Sequence, residues 1–196
     1  MNLPLLFSLL TGCLTFSGYV VYNRGIFLGT CKPNVVSWAL WAMATILNMA
    51  SYFAMTGDIL KNSLPLVSSV ACLVTFIFVL CKKNSARLSL TDMAIFCLGM
   101  ASVFAWWWFK SATCANMILQ FAIFIAFIPT YRSVWKNPMN ENPVPWMIFS
   151  LAYMMLSVTV ILRWHGNNFD LVFPLLGFVL HCALTFLIML RRKCIA

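Results

Sequence analysis

Seven apolar stretches, each about as long as a lipid bilayer is thick, follow one another along this chain of 196 residues. A helix needs roughly 17 to 25 mainly apolar residues to cross the hydrocarbon core of a bilayer. The stretches cover residues 4–22, 34–54, 64–81, 92–109, 113–131, 144–162 and 171–190. Because 63% of the residues are hydrophobic and only 9% are charged, the chain cannot bury its apolar surface in a water-soluble core. It is therefore predicted to be an all-α membrane protein with seven transmembrane helices.

The first three stretches and the last three stretches are similar in sequence. With a shift of 108 residues, the positions that match are Arg24 with Arg132, Trp38 with Trp146 and Ala44 with Ala152. Since one further stretch separates the two copies, both copies enter the membrane from the same side, and the repeats are parallel. The predicted units are a first three-helix repeat over 1–83, a linker helix within 84–111 and a second three-helix repeat over 112–196.

The basic residues lie mostly on one side of the predicted membrane. Of the 13 Lys and Arg residues, only Lys61, Lys110 and Arg163 fall on the other side. Cytoplasmic loops carry an excess of Lys and Arg, so the C-terminus is predicted to be cytoplasmic and the N-terminus to lie outside, in a cell membrane (the inner membrane in a bacterium). The excess of basic residues on the cytoplasmic side thus explains the net charge of +9. We expect a lipid bilayer, but no nucleic acid, as a partner.

Proline positions add a family resemblance to this architecture. Pro129 lies near the end of the fifth stretch and precedes a basic loop, while Pro33 and Pro143 or Pro145 open the second and sixth stretches. In these features the chain resembles the SWEET and PQ-loop transporters, including an uncharacterised bacterial branch of that group. The resemblance implies two three-helix bundles joined by a linker helix, which rock about a central pocket. SWEETs typically present an asparagine from the third and seventh spans, and these stretches contain none, so a sugar substrate is not assumed.

Aromatic and polar residues recur at helical spacing in the stretches that would surround such a pocket. They lie three or four residues apart and therefore on one face of each helix. Flat apolar walls with a few hydrogen-bonding groups suit a small polar or amphipathic metabolite, such as a sugar or an amino acid. The candidate pocket residues are Trp41, Thr45, Asn48, Ser68, Ser69, Cys72, Gln120, Phe149, Tyr153 and His181.

Several of these residues have a structural explanation as well. Polar side chains also join helices by hydrogen bonds, so substrate binding and packing both stay open for Asn48 and Gln120. Trp38 and Trp146 lie near the predicted cytoplasmic ends, where we expect tryptophans to anchor helices at the interface.

His181 is a titratable side chain that we expect well inside the membrane. It could bind the substrate, carry a proton or bond a neighbouring helix. The shift between the repeats changes next to it, and one residue turns a helix face by about 100°. Its equivalent in the first repeat is therefore either Ala71 or Cys72.

The acidic residues all fall at the ends of stretches or in loops. Proton-coupled or sodium-coupled transport usually needs a carboxylate in the translocation path, so passive facilitation is the simpler expectation. The candidate hinge and gate residues are Gly18, Pro129, Pro145, Arg24 and Arg132. The two arginines would close an inner gate with a loop acid such as Glu141. The preference for basic residues on the cytoplasmic side explains both arginines equally well.

The sequence contains no pair of carboxylates, no nucleophile beside a base and no metal-binding cluster. We therefore predict no enzyme activity, no catalytic residue, no metal and no cofactor. The competing hypothesis is a seven-span receptor or assembly subunit without transport activity. Assembly into a homo-oligomer is left open.

Overall fold

The computed structural model describes residues 2–29, 35–81 and 90–194, which form seven α-helices with short connections. The helices are α1 (Leu3–Phe27), α2 (Val35–Thr56), α3 (Ser63–Cys81), α4 (Leu90–Phe109), α5 (Ala112–Lys136), α6 (Pro143–Leu162) and α7 (Val172–Lys193). Short 3-10 turns, Pro138–Asn140 and Asn168–Leu171, precede α6 and α7. The predicted all-α class is confirmed, while the boundary at residues 83 and 84 lies outside the described residues.

Six of these helices, α1 to α3 and α5 to α7, are long and apolar enough to cross a membrane. In α4 the apolar part within the described residues is Met93–Phe109, which falls short of the 18 residues that the others reach. Of the seven helices that were expected to span the membrane, six are thus long and apolar enough to do so within the described residues.

Polar residues fix where three of the helices begin. Asn2, Ser111 and Asn142 cap α1, α5 and α6, and each side-chain oxygen accepts a hydrogen bond from an N–H group two or three residues later. Pro143 and Pro145 lie in the first turn of α6, where the missing N–H groups interrupt no helical hydrogen bond.

Six helices form a closed ring in the order α1, α3, α2, α5, α7, α6 and back to α1. α4 lies outside this ring, against α5 and α2. Exchanging α1 with α5, α2 with α6 and α3 with α7 leaves the order of neighbours in the ring unchanged. The ring thus has the contacts that a two-fold arrangement of α1–α3 and α5–α7 would produce.

The two ends of the ring are named here by the acids that lie there. The Asp170 end consists of the α2–α3 connection (57–62), the α4–α5 connection (110–111) and the α6–α7 connection (163–171). The Glu141 end consists of the α5–α6 connection (137–142) and the last turn of α7.

The distribution of side chains is the reverse of that in a water-soluble protein. In α1, Thr11 and Thr15 are buried, whereas Leu9 and Phe16 are about three-fifths exposed, at 59% and 61%. Large apolar side chains cover the outer faces of the other helices in the same way. An outer surface of this kind is stable in contact with lipid and not with water, so the structure is that of a multi-pass membrane protein.

α1 approaches α6 closely because its buried face is built mainly from small residues. At Gly18, a Cβ atom would lie only 2.5 Å from Cε1 of Phe149. Any side chain at this position must therefore push the Phe149 ring away from α1.

We expect the substitution Gly18→Ala to destabilise the protein by about 1–3 kcal/mol, because the added methyl group overpacks the contact with Phe149. Thermal unfolding in detergent measures this effect. Gly12→Ala is the matched control, since its Cβ would meet Val67 at 3.8 Å, an ordinary van der Waals distance. Equal melting temperatures of the two variants would contradict the close packing of α1 on α6.

Candidate functional site

The six helices of the ring enclose a cavity of about 280 Å³. Pockets for small molecules usually have volumes of about 300–1,000 Å³, so this cavity has the size of a site for a small metabolite. Its lining residues are Tyr19, Tyr22, Trp38, Trp41, Thr45, Asn48, Leu64, Pro65, Ser68, Cys72, Gln120, Ile123, Phe127, Thr130, Ser133, Glu141, Trp146, Phe149, Tyr153, Phe173, Gly177 and His181.

The structure places nine of the ten candidate pocket residues in this lining and leaves out Ser69. The Ser69 hydroxyl donates to the Leu66 carbonyl at 2.8 Å and lies 3.3 Å from the Met49 sulfur. Adjacent residues of a helix differ in direction by about 100°, so Ser68 faces the cavity while Ser69 faces α2.

His181 lies among four aromatic rings. Its ring centroid is 4.8 Å from that of Tyr153, 5.0 Å from Phe127, 5.6 Å from Trp146 and 5.7 Å from Phe149. These rings are close enough to hold the imidazole in one orientation.

The hydrogen bond of His181 defines its neutral tautomer. Nδ1 lies 2.7 Å from the carbonyl oxygen of Gly177. Because a carbonyl can only accept, Nδ1 carries the hydrogen and Nε2 remains an acceptor. A Cβ at Gly177 would lie 2.2 Å from Cε1 of Tyr153, so glycine leaves room for this ring in the cavity wall.

The lining contains residues that sequence reasoning missed or interpreted differently. Trp38 and Trp146, which we expected to be interfacial anchors, both line the cavity. Tyr19 and Tyr22 of α1 were not among the candidates, although their rings pack on Phe149 at 5.0 Å and on Trp38 at 5.2 Å. The sequence repeat could have identified them, because a shift of 108 residues aligns Tyr19 with Phe127 and Tyr22 with Thr130, which also line the cavity.

Most of the lining comes in pairs at the spacing of the repeat. Five pairs are 108 residues apart: Tyr19 with Phe127, Tyr22 with Thr130, Trp38 with Trp146, Trp41 with Phe149 and Thr45 with Tyr153. Three pairs are 109 residues apart: Leu64 with Phe173, Ser68 with Gly177 and Cys72 with His181. Ala71 is outside the lining, so Cys72 is the residue that matches His181 in the cavity wall.

Asn48 and Gln120 take part in a buried amide cluster that joins α2 to α5. Asn116 Nδ2 donates to Asn48 Oδ1 at 3.0 Å and to Ser51 Oγ at 2.9 Å. Gln120 Nε2 donates to Asn48 Oδ1 at 2.8 Å. The Asn48 nitrogen and the Gln120 Oε1 oxygen take no part in these bonds, so both residues hold the helices together and retain groups for a ligand.

The Asp170 end of the ring is closed by a buried ion pair. Lys61 Nζ lies 2.6 Å from Asp170 Oδ2, and Lys61 is fully buried. Asn167 Nδ2 donates to the other oxygen of Asp170 at 2.8 Å, and the Tyr52 hydroxyl donates to the Asp170 carbonyl at 2.7 Å. Both carboxylate oxygens are therefore satisfied, as a buried charge requires.

A second ion pair joins the same two connections, but here the acid lies in connection 57–62 and the base in connection 163–171. Arg163 Nε donates to Asp58 Oδ2, while the Leu60 N–H donates to Oδ1 at 2.9 Å. Burial alone would raise the pKa of Asp58, but these hydrogen bonds, a further one from the Lys61 N–H and the charge of Arg163 outweigh it and hold the pKa below its ordinary value. The two pairs fasten connection 57–62 to connection 163–171.

Glu141 lies at the opposite end of the cavity, where Thr130, Ser133 and Trp38 are partly exposed. Its Oε2 accepts a hydrogen bond from the Trp146 indole at 3.1 Å. Burial raises the pKa of Glu141 to about 7, against the smaller opposing effect of that hydrogen bond. The mouth of the cavity thus has a carboxylate that titrates near neutral pH.

The candidate hinge and gate residues have different surroundings. Gly18 is packed against Phe149, and Pro145 is buried in the first turn of α6. Arg24 and Arg132 are exposed at the ends of α1 and α5, and the Glu141 carboxylate bonds to Trp146 and to neither arginine within the described residues. The Pro129 side chain lies outside the described residues. The hinge and gate roles stay predictions.

Within the described residues, no three His, Cys, Asp or Glu side chains come together as a metal site would need. The lining offers aromatic faces, hydroxyls, amides, one imidazole, one thiol and one carboxylate. Such a lining suits the binding of a small molecule.

We expect the NMR signal of the Trp146 indole N–H to shift with a midpoint near pH 7, because this group donates to Glu141. The signal is identified by its loss in Trp146→Phe. The raised pKa also means that the folded state binds the proton more tightly than the unfolded state, so stability falls as the pH rises from 4.5 to about 7. Glu141→Gln should abolish both effects, and a titration of Trp146 that persists in this variant would contradict the assignment.

No family model, no curated protein and no solved structure matches this chain. The resemblance to SWEET and PQ-loop transporters thus stays a prediction from the sequence, and the function has to be argued from the cavity itself.

Proposed function

We propose that this chain is an integral membrane transporter for a small polar or amphipathic metabolite. The observation that carries the proposal is a central cavity that is closed at one end by ion pairs and lined at the other end by partly exposed residues. A subunit that only assembles with other proteins does not need a cavity of this kind.

The proposed architecture is two parallel three-helix units, α1–α3 and α5–α7, with α4 as the linker. The symmetric order of helices in the ring and the paired lining residues support it. Transport would proceed by rocking of the two units about the cavity, as parallel repeats allow. The interfaces that must change are α1 with α6 and α2 with α5, which join one unit to the other.

The gate at the Asp170 end consists of the pairs Lys61–Asp170 and Asp58–Arg163. Each pair joins one unit to the other, so both must break before the cavity can open at this end. Breaking a dry buried pair leaves uncompensated charges, but opening admits water, which solvates them again. The Asp170 end lies outside the cell if the positive-inside rule holds, and the state described here is then open toward the cytoplasm.

Passive facilitation is the proposed mode of transport. The carboxylate in the lining, Glu141, lies at the mouth and not midway along the path. His181 lies among aromatic rings, and its Nδ1 is engaged by Gly177. Neither arrangement supplies the carboxylate within the path that coupled transport usually needs.

Uptake of labelled sugars, amino acids, amines and vitamins into proteoliposomes tests the proposal. For a transported compound, Trp41→Ala should lower uptake by about tenfold, which corresponds to ~1.4 kcal/mol of lost binding. Trp107→Ala is the matched control, because Trp107 of α4 is 64% exposed and lies outside the cavity. Folded protein that transports none of these compounds would favour a receptor or an assembly subunit.

Reversal of one charge in the gate should abolish uptake, and reversal of both should restore it. Lys61→Asp places two carboxylates against each other in a buried site, whereas Lys61→Asp combined with Asp170→Lys re-forms the ion pair with the opposite polarity. Lys110→Asp, at an exposed position of the same end, is the control for a change of net charge. A double variant as inactive as the single one, although folded, would argue against the gate.

A further inference from the structure

The charge of the cavity lining is opposite to that of the whole chain. The chain has 13 Lys and Arg residues against 4 acids. Among the described residues that line the cavity there is no lysine and no arginine, and the acid Glu141 is present. The fixed charge that the described lining contributes is therefore that of an acid, although the net charge of the protein is positive.

The Glu141 carboxylate has no cationic partner within the part of the chain that the structure describes. Asp58 and Asp170 are each paired with a basic side chain. Arg192 does approach Glu141, but its guanidinium donates to the main-chain carbonyl at 2.8 Å and not to the carboxylate. An ionised carboxylate that accepts from one indole N–H has further acceptor capacity.

Aromatic rings make up a large part of the cavity wall. Nine of the 22 lining residues are Phe, Tyr or Trp. Trp146 connects Glu141 to the deeper cavity, because its indole N–H bonds the carboxylate and its ring lies 5.6 Å from that of His181. The faces of aromatic rings attract a cation within about 6 Å.

The deeper part of the cavity also provides hydrogen-bond acceptors. His181 keeps Nε2 as an acceptor, and Gln120 Oε1 is not used in the amide cluster. These groups can accept a hydrogen bond from a polar substituent of the ligand. The absence of a basic group from the described lining, in contrast, leaves nothing to neutralise the carboxylate of an amino acid or another anion.

We propose that the cavity takes small amphipathic ammonium ions, namely amines with an apolar body and no carboxylate. The charge lies next to the Glu141 carboxylate, and the apolar body packs on the aromatic wall near His181. That such a cation is also carried across the membrane rests on the proposed function, whereas its binding does not.

Calorimetric titration of the purified whole chain in detergent tests this inference with three probes of similar shape. The probes are 2-phenylethylamine, 2-phenylethanol and 3-phenylpropanoate, which are cationic, neutral and anionic at neutral pH. We expect the amine to bind about tenfold more tightly than the alcohol, and the carboxylate to bind more weakly than either. Glu141→Gln should lower the affinity for the amine to that for the alcohol.

Asp92→Asn is the matched control, because it removes the same charge from α4, outside the ring, and should leave the preference for the amine intact. Equal affinity for amine and alcohol, tightest binding of the carboxylate, or an unchanged preference in Glu141→Gln would each overturn the inference.

Uptake measurements distinguish a failure of this inference from a failure of the proposed function. Transport of a neutral metabolite by a protein that does not bind the amine would overturn the inference and leave transport standing. Binding of the amine without uptake of any compound would support the inference and overturn the transport proposal.

Discussion

The hydrocarbon core of a bilayer offers no hydrogen-bond partners, and the rest of this structure depends on that constraint. Every polar group within the membrane has to find its partner inside the protein. Hydroxyl groups therefore donate to the carbonyl one turn earlier, as Thr15 does to Thr11 and Thr185 does to His181. Longer amides bond across helices, as Asn116 does to Asn48. The polar side chains collect in the middle of the ring, and an interior of this kind can hold a polar ligand.

Closing six helices into a ring brings the α2–α3 and α6–α7 connections together at the Asp170 end. Lys61 and Asp170 are 109 residues apart, which is the spacing of the repeat at that point. Identical residues here would place two like charges against each other in a buried site, where repulsion and desolvation both oppose folding. Opposite charges turn the same contact into an ion pair that holds the end closed.

The cavity wall shows a similar divergence. Ser68 is matched by Gly177, which leaves room for the ring of Tyr153, and Cys72 is matched by His181. At three pairs the residue from α6 or α7 is the larger one, namely Tyr153 against Thr45, Phe173 against Leu64 and His181 against Cys72, whereas Tyr22 of α1 is larger than its match Thr130. A cavity built in this way is asymmetric, and the proposed ammonium ion would lie in it with its charge toward Glu141 and its apolar part toward α6 and α7.

The membrane class, the seven helices and the helix faces that carry Trp41, Thr45 and Asn48 could all be predicted from the sequence. These properties follow from composition and from the 3.6-residue period, which act locally along the chain. The depth of Trp146, the pairing of Lys61 with Asp170 and the position of Glu141 at the mouth became visible only in the folded arrangement of the helices. Those features depend on how distant segments come together, because helical periodicity gives the direction of a side chain but not its partner.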